Sequence, residues 1–200
     1  KGRMHTIVLG PGKQFHTHRG HLSHDDLIGM PDGSTITNTA GVEYLALRPL
    51  LADYVMSMPR GAAVIYPKDA SQIVMMADMF PGAVVVEAGV GSGALTMSPL
   101  RAVGDHGRLY SSERRDEFAQ IARANVEAFF GAPHPAWQLT VADLVEGLTG
   151  PDAGIGPASI DRVVLDMLAP WECLDAVAQV LLPGGVLIAY VDTATQLSRV

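Results

Sequence analysis

The sequence has a single cysteine, no long apolar run and no excess of positive charge. Cys173 has no second cysteine to pair with, which excludes an internal disulfide and is typical of a protein kept in a reducing cytoplasm. No stretch of about 18 uncharged apolar residues indicates a membrane span, and no leader with a cleavage site resembles a signal peptide. The formal net charge of −7 argues against a protein that coats nucleic acid without specificity, although it is compatible with a local basic patch.

The chain is long and apolar enough for one full domain and a small appendage, since 48% of its 200 residues are hydrophobic. Residues 1–48 contain short β-type runs separated by Gly-Pro-Gly and Pro-Asp-Gly turns. These runs are Met4 to Leu9, Ser34 to Thr39 and Val42 to Arg48. We therefore predict a small N-terminal β module over residues 1–48 and a separate domain over residues 49–200.

From about residue 50, predicted helices alternate with mostly apolar strands, a pattern typical of a wound parallel sheet that is covered on both faces. The predicted strands are Ala83 to Ala88, Gly107 to Ser112, Trp137 to Ala142, Ile160 to Asp166 and Gly185 to Val191. The predicted helices cover residues 94–103, 115–130 and 171–182, and a glycine- and proline-rich surface loop covers residues 147–159. The predicted fold class is therefore α/β with a Rossmann-like sheet.

A glycine-rich loop follows the first of these strands. The strand ends in Glu87, and the chain then turns through Gly89, Gly91 and Gly93 into a helix. A turn this tight needs residues without a Cβ, and it presents backbone N–H groups to a ligand at the carboxyl edge of the sheet. The loop therefore predicts a binding site for a small polar ligand.

The identity of that ligand depends on Glu87. Gly89, Gly91 and Ala94 also match the dinucleotide-binding fingerprint, which by itself is weak evidence. A carboxylate two residues before the first glycine would repel a pyrophosphate and attract a sulfonium with an α-ammonium group. The loop therefore favours S-adenosylmethionine over a nicotinamide dinucleotide.

Two further acids follow the next two strands. Glu113 follows the second strand, where a carboxylate can accept hydrogen bonds from both ribose hydroxyls of an adenosine, and this fits either cofactor. Asp143 follows the third strand and is a candidate for a hydrogen bond to the adenine amino group. Because the carboxyl ends of parallel strands meet at one edge, both acids are predicted to face the same ligand.

The fourth strand ends in Asp166-Met167-Leu168-Ala169-Pro170-Trp171-Glu172, where an acceptor would meet the methyl group. Adenine N1 already has an in-plane lone pair, so it needs alignment with the sulfonium rather than a base. A carboxylate that accepts a hydrogen bond from the exocyclic amine orients the ring and stabilises the positive charge that it gains. Asp166 is therefore the candidate catalytic residue. Trp171 either stacks on the base or packs the following helix, and the sequence leaves both interpretations open.

Four segments together resemble the tRNA (adenine-58-N1)-methyltransferase family, especially its actinobacterial members. They are Phe15 to Gly20, Ile65 to Asp69, Glu87 to Leu95 and Asp166 to Glu172, and they follow in order over nearly the whole chain. The resemblance implies a cytoplasmic homotetramer that transfers methyl from S-adenosylmethionine to adenine 58 in the T loop of tRNA, without a metal or a membrane. It also implies further residues before Lys1 and further strands after Val200.

Position by position, the resemblance implies cofactor contacts along the glycine loop and at the strand ends. The implied contacts are Glu87, Gly89, Gly91, Ser92, Gly93, Ala94, Leu95, Glu113, Phe118, Asp143 and Asp166. Phe118 stands where the family often has histidine or arginine, so burial in the core is the alternative for it. Gln72 either closes a capping box with Asp69 or, like Tyr66, faces the methionine end of the cofactor, and the two interpretations stay equal.

The N-terminal module carries four histidines within nine residues: His16, His18, His21 and His24. No cysteine and no regular ligand spacing accompany them, which disfavours a metal site. Together with Lys13 and Arg19, and with Lys1 and Arg3 nearby, they predict a basic patch for RNA phosphates or a subunit contact. The candidate substrate contacts are His16, His18, Arg19, Tyr66 and Trp171.

Two other functions compete with this prediction. A nicotinamide-dependent oxidoreductase fits the dinucleotide fingerprint but not Glu87, and no clear proton donor accompanies the loop. A noncatalytic RNA-binding subunit of a methyltransferase would be expected to have a degraded glycine loop, whereas the loop of this chain is intact.

Overall fold

The computed structural model describes residues 4–151 and 153–200. The chain forms two compact units, the first ending at Ser57 and the second beginning at Met58. The division predicted after residue 48 lies earlier, because a short helix, α1 (Leu51–Ser57), groups with the first unit. Lys1 and Arg3, counted above in the predicted basic patch, lie outside the described residues.

The first unit contains two antiparallel hairpins. The strands are β1 (Gln14–Thr17) paired with β2 (Gly20–Ser23), and β3 (Ser34–Thr37) paired with β4 (Glu43–Ala46). The prediction of a small β module is confirmed, but the first hairpin falls in the histidine-rich segment where no strand was predicted. The strand predicted for Met4 to Leu9 is wrong. Met4, Val8 and Leu9 are exposed, so this run lacks the packing that fixes a strand.

The second unit is built on a five-stranded parallel sheet with strand order β7-β6-β5-β8-β9. Its strands are β5 (Val84–Ala88), β6 (Arg108–Glu113), β7 (Trp137–Val141), β8 (Ile160–Asp166) and β9 (Leu181–Tyr190). The central strands are buried, as their apolar sequences predict, and Val85, Leu109 and Val163 are fully enclosed. The predicted α/β wound sheet is therefore confirmed.

Helices precede, connect and follow the strands of this sheet. Helix α2 (Pro67–Met76) precedes β5, and α7 (Ala194–Leu197) follows β9. The connecting helices are α3 (Met97–Val103), α4 (Asp116–Phe130), α5 (Leu144–Thr149) and α6 (Leu174–Val180), with a 3-10 helix at Pro170–Cys173. Cys173 lies in the core with Val163 and Val177, as expected for an inert thiol. No described helix is long and apolar enough to cross a membrane.

Two predicted helices and one predicted loop have wrong boundaries. Helix α3 begins at Met97 rather than at residue 94, because the chain still turns through Gly91 and Gly93 with φ of +55° and +79°. The helix predicted over residues 171–182 splits into the 3-10 helix and α6. Helix α5 reaches into the predicted loop at residues 147–159, since Asp143 caps it.

Candidate active site

The carboxyl edge of the sheet is the candidate site. Strand β5 lies between β6 and β8, so the chain leaves β5 toward one side of the sheet and later returns to the other. This is the topological switch point at which open α/β sheets bind ligands. The residues at its centre are the glycine loop, Glu113 at the end of β6 and Asp166 at the end of β8.

Gly89 fixes the loop against β8. Its φ is +84°, and a Cβ placed on it would lie 1.7 Å from the backbone oxygen of Asp166. Only glycine allows the two strand ends to approach this closely. By contrast, a Cβ on Gly91 would make only ordinary van der Waals contacts, with the Ala62 side chain at 3.6 Å and the Ala63 backbone oxygen at 3.9 Å. The loop is therefore held tightly against β8 at Gly89 and less tightly at Gly91.

Glu113 holds the loop from the neighbouring strand. Its Oε2 accepts a hydrogen bond from the Gly91 N–H at 2.9 Å. Its Oε1 accepts from the Arg115 N–H at 3.1 Å, with the Arg115 Nε at 3.4 Å. Carboxylate oxygens can accept further hydrogen bonds, so these contacts leave room for the predicted ribose contact. That contact stays a prediction.

Glu87 lies beneath the loop rather than on its open side. Its side chain is fully buried, and its oxygens accept hydrogen bonds from Thr96 Oγ1 at 2.9 and 3.0 Å and from Ser111 Oγ at 2.8 Å. Ser111 Oγ in turn accepts from the Trp137 indole N–H at 2.9 Å. Glu87 therefore stabilises the loop from inside, and its charge acts on a bound ligand through the loop rather than by direct contact.

Burial also changes the protonation of Glu87. Burial raises the pKa of Glu87 to about 7, and the carboxylates of Asp166 and Glu113 add to the rise. The hydrogen bonds from Ser111 and Thr96 lower the pKa but do not offset the effect of burial. Near neutral pH Glu87 is therefore only partly ionised, and not fully negative as predicted from the sequence.

We expect Glu87→Gln to stabilise the protein at alkaline pH. Because the folded pKa of about 7 lies above the ordinary value of 4.5, the folded state binds more protons in between, and stability falls as pH rises from 4.5 to 7. Glutamine does not titrate, so the variant does not lose stability over this pH range. The Thr96 hydroxyl can rotate to accept a hydrogen bond from the glutamine amide. The free energy of unfolding should exceed that of the unsubstituted protein by up to about 3 kcal/mol above pH 7.

Urea unfolding of both proteins between pH 4.5 and 8.5 measures this difference. Glu117→Gln, which removes an exposed carboxylate from the first turn of α4, is the matched control and should give no comparable pH dependence. A Glu87→Gln difference that stays constant with pH would contradict the raised pKa.

Ser92 and Asn125 join the loop to the segment that precedes α2. Ser92 Oγ accepts hydrogen bonds from the N–H groups of Gly61 and Ala62 at 3.0 and 3.3 Å. The Asn125 amide donates to the backbone oxygens of Pro59 and Ser92, both at 2.9 Å. The Ser92 oxygen thus accepts two hydrogen bonds from the protein, and its O–H group can still donate one. The cofactor contacts predicted for Ser92 and for the buried Gly93, Ala94 and Leu95 stay predictions.

Phe118 lies half-buried on α4 beside the loop. The Arg115 guanidinium stacks over its ring at 3.7 Å, and a Cβ on Gly61 would approach its edge to 2.9 Å. The ring therefore helps to hold Arg115, which itself contacts Glu113. Its contact with the cofactor stays a prediction.

Asp143 is an N-cap. Its Oδ1 accepts from the Val145 N–H at 3.0 Å, and its Oδ2 lies 3.8 Å from Arg114 Nε. Roughly half of its side chain is exposed at the carboxyl edge. Its bond to the adenine amino group therefore stays a prediction, beside a capping role that the sequence interpretation missed.

The carboxylate of Asp166 has no hydrogen-bond partner among the described residues. Burial raises its pKa to about 6, and the carboxylate of Asp192 adds to the rise. Tyr190 pairs with Asp166 in the register of β8 and β9, and burial together with the carboxylates of Asp69, Asp192 and Asp166 raises its pKa. Asp166 is thus a half-buried acceptor without a partner.

Tyr190 and Asp192 are site residues that the sequence interpretation missed. Both lie at the end of β9, but their proximity to Asp166 follows only from the order of strands β8 and β9 in the sheet. A strand prediction for residues 185–191 contains no such information. The phenol of Tyr190 is the only aromatic hydroxyl that the register places opposite Asp166.

Tyr66 and Gln72 lie on or beside α2. The predicted capping box of Asp69 and Gln72 is wrong, because the helix begins three residues earlier, at Pro67, with Tyr66 rather than Asp69 at its N-cap. Tyr66 is about half exposed and Gln72 is exposed. Both side chains are free to meet a ligand, and their predicted contacts stay predictions.

Trp171 lies in the 3-10 helix after Asp166. The guanidinium of Arg199 stacks over its ring at 3.9 Å, and its indole N–H is buried without an acceptor among the described residues. One face of the ring is therefore occupied by a side chain of the protein, a contact that neither sequence interpretation of Trp171 included.

The candidate RNA-binding residues of the first unit lie on and around the β1–β2 hairpin. His18 and Arg19 form its exposed turn, and the rings of His16 and His21 lie 5.4 Å apart. His24 is buried and its Nδ1 accepts from the Gly10 N–H. Among residues 4–151 and 153–200, no group of three or more histidine, cysteine or carboxylate side chains is arranged to hold a metal.

Comparison with known proteins gives consistent matches. Residues 1–36 match a family model described as TrmI-like N-terminal, and residues 44–200 match the model of the tRNA methyltransferase complex GCD14 subunit. The tRNA (adenine(58)-N(1))-methyltransferase TrmI of Thermus thermophilus is 36% identical, over 98% of this chain and 74% of its own.

Two solved structures are similar as well. A SAM-dependent O-methyltransferase of Thermotoga maritima superposes with a TM-score of 0.84 and 32% identity, over 96% of this chain and 69% of its own. The tRNA (m1A58) methyltransferase TrmI of Aquifex aeolicus superposes with a TM-score of 0.77 over 96% of this chain and 72% of its own. At 24% identity, the second match shows the fold alone.

The wound sheet, its glycine loop and the carboxylates around that loop define a class I S-adenosylmethionine-dependent methyltransferase. Within that class, the match over residues 44–200 and the identity to the Thermus enzyme place this chain in the tRNA (adenine-58-N1)-methyltransferase family. This assignment confirms the resemblance read from the sequence and decides against the nicotinamide-dependent oxidoreductase.

Proposed function

We propose that this protein transfers a methyl group from S-adenosylmethionine to N1 of adenine 58 in the T loop of tRNA. The observation that carries the proposal is the unpartnered carboxylate of Asp166, which lies at the end of β8 while its own backbone oxygen abuts Gly89 of the glycine loop. An acceptor held by Asp166 therefore lies beside a ligand held by the loop.

The residues of the site fit a cationic adenosine derivative. The carboxylates of Glu113 and Asp166 both lie close enough to Glu87 to raise its pKa, and a group of acids this close favours a positively charged ligand. The hydrogen bond from the Gly91 N–H to Glu113 places this carboxylate beside the loop. Glu113 and the loop backbone would hold the adenosine, and Glu87 would act through the loop.

When bound, S-adenosylmethionine supplies the electrophilic methyl carbon and leaves as S-adenosylhomocysteine once N1 has formed its new bond. Asp166 accepts a hydrogen bond from the exocyclic amine of the adenine, which turns the N1 lone pair toward the methyl group. As the N–C bond forms, the ring becomes positive, and the adjacent carboxylate stabilises that charge. The adenine must be extruded from the folded T loop to reach this position.

The test is transfer of labelled methyl from S-adenosylmethionine to an unmodified tRNA transcript. We expect 1-methyladenosine at position 58, identified by nuclease digestion and mass spectrometry. A transcript with adenine 58 replaced by guanine is the control and should accept no label at that position. Label in the control equal to that in the first transcript would refute the proposed site of methylation, and absence of cofactor binding would refute the enzyme class.

The resemblance further implies a homotetramer and a cytoplasmic location, and we propose both. Light scattering of the purified protein distinguishes the tetramer from a monomer or a dimer. The proposed RNA contacts of His16, His18 and Arg19 belong to the same set of proposals, since an exposed hairpin turn with a basic side chain suits phosphate contact.

A further inference from the structure

A hydrogen bond joins helix α7 to the loop that follows Asp166. Thr193 and Gln196 form a capping box, in which Thr193 Oγ1 accepts from the Gln196 N–H and Gln196 Oε1 accepts from the Thr193 N–H. The other end of the Gln196 amide donates to the backbone oxygen of Leu168 at 3.1 Å. The side chain of Gln196 therefore sets where α7 lies relative to residues 166–171.

This arrangement places Arg199, two residues after α7, over Trp171. The guanidinium carbon lies 3.9 Å from the ring centroid, which is stacking distance. The Trp171 indole N–H has no acceptor among the described residues, so no hydrogen bond sets the position of the ring. Stacking on Arg199 and packing of the 3-10 helix hold it instead.

The guanidinium of Arg199 makes no ion pair with any of the described residues, although carboxylates are common on the segments around it. Arg199 is exposed. A guanidinium that stacks by its face keeps its N–H donors free at the edge, where they match the oxygens of a phosphate in a bidentate manner. Arg199 stacked on Trp171 thus presents a positive charge that makes no ion pair with the described residues.

The surroundings explain why a cation is needed at this place. Asp166, Asp192 and Glu172 make this edge of the sheet acidic, which suits a sulfonium but repels the RNA backbone. An extruded nucleotide brings its phosphates with it. Bringing them to Asp166 requires a compensating positive charge on the acceptor side of the site.

We propose that Arg199, held on the face of Trp171, binds a backbone phosphate of the tRNA next to the nucleotide that is methylated. This inference rests on the proposed function, because the ligand is the RNA substrate of the same site. It also assigns Trp171 a role that differs from base stacking: the ring is the platform that orients the guanidinium.

The test compares Arg199→Gln, Arg199→Lys and a control, Arg101→Gln, in the full-length protein. Arg101 is exposed in the last turn of α3, which runs toward the opposite edge of the sheet, so the control removes the same charge away from the site. Binding of unmodified tRNA is measured by fluorescence anisotropy with S-adenosylhomocysteine present, over a series of salt concentrations. Cofactor affinity is measured separately by calorimetry.

We expect Arg199→Gln to weaken tRNA binding about tenfold and to lower the slope of log affinity against log salt by about one. Arg199→Lys should keep the slope while losing several-fold in affinity, because lysine retains the charge but not the planar fork. Cofactor affinity should be unchanged in both variants. A merely structural role for Arg199 would not separate the slope from the affinity in this way.

The inference is overturned if Arg199→Gln matches Arg101→Gln in both affinity and slope, or if cofactor binding falls in parallel with tRNA binding. The proposed function is measured first, by methyl transfer with the unsubstituted protein. Failure of that transfer removes the function and this inference together, whereas transfer with a normal salt slope in Arg199→Gln removes this inference alone.

Discussion

Replacing Asp166 by asparagine is expected to lower kcat for methyl transfer by about 100- to 1000-fold while the protein still folds and binds its cofactor. Asparagine keeps the size of the side chain and an oxygen that can accept from the adenine amine. It lacks the charge that stabilises the ring as it becomes positive. Because the Asp166 carboxylate makes no hydrogen bond to the described residues, its replacement breaks no side-chain hydrogen bond of the fold.

Single-turnover methyl transfer and calorimetric titration of the cofactor measure the two halves of this prediction. Asp175→Asn, which removes an exposed carboxylate from the first turn of α6, is the matched control and should leave kcat within about twofold of the unsubstituted value. Full activity in Asp166→Asn would refute the catalytic assignment. Loss of folding would instead show a structural role that the free carboxylate does not suggest.

The pKa of Asp166 gives an independent readout of the same role. Because its pKa is raised to about 6, the carboxylate is ionised above that pH and protonated below it. The ratio kcat/KM reports the free enzyme, so it should fall about tenfold for each pH unit below 6. Asp192→Asn removes one cause of the raised pKa of Asp166, so the fall in kcat/KM should begin at a lower pH in this variant.

The sheet was predictable because its strands carry their own signal. The signal is clearest in β5 and β8, which are mostly apolar and buried at the centre of the sheet, a position that requires that pattern. Residues such as Val85 and Val163 are therefore recognisable as core without a structure. The β1–β2 hairpin was missed because its strands are four residues long and each carries a single large apolar residue, Phe15 in β1 and Leu22 in β2, among histidine and other polar residues.

Which acids face the ligand was less predictable than their position at the strand ends. Glu87, Asp143 and Asp166 follow three strands of the same sheet, yet their environments differ. Glu87 meets hydroxyl groups from Thr96 and Ser111, which are distant in sequence, and becomes internal. Asp143 precedes a short helix, α5, and is its N-cap. This helix was not predicted because it runs into a stretch rich in glycine and proline. Only Asp166 is left without a partner.

The contact between Arg199 and Trp171 had no sequence signal. It depends on the position of α7, which Gln196 fixes through a bond to a backbone oxygen 28 residues earlier. Backbone acceptors are present at every residue, so such a bond cannot be read from residue types. The same holds for Tyr190, whose place opposite Asp166 depends on strand order.

Replacing Gly89 by alanine is expected to give the largest structural effect of any single methyl group in the loop. The new Cβ would lie 1.7 Å from the Asp166 oxygen, and φ of +84° already disfavours alanine. The loop must therefore move away from β8. We expect the free energy of unfolding to fall by about 3–5 kcal/mol, as backbone strain and overpacking add, and cofactor affinity to fall at least tenfold.

Gly104→Ala separates the two causes of this loss. Gly104 also has a positive φ, +66°, but a Cβ on it would meet no atom within 4 Å, so alanine there carries only the conformational cost, about 1–3 kcal/mol. Urea unfolding and cofactor titration of both variants make the comparison. If Gly89→Ala proved no less stable than Gly104→Ala and bound the cofactor normally, the contact between the loop and Asp166 would not be what positions the methyl donor beside its acceptor.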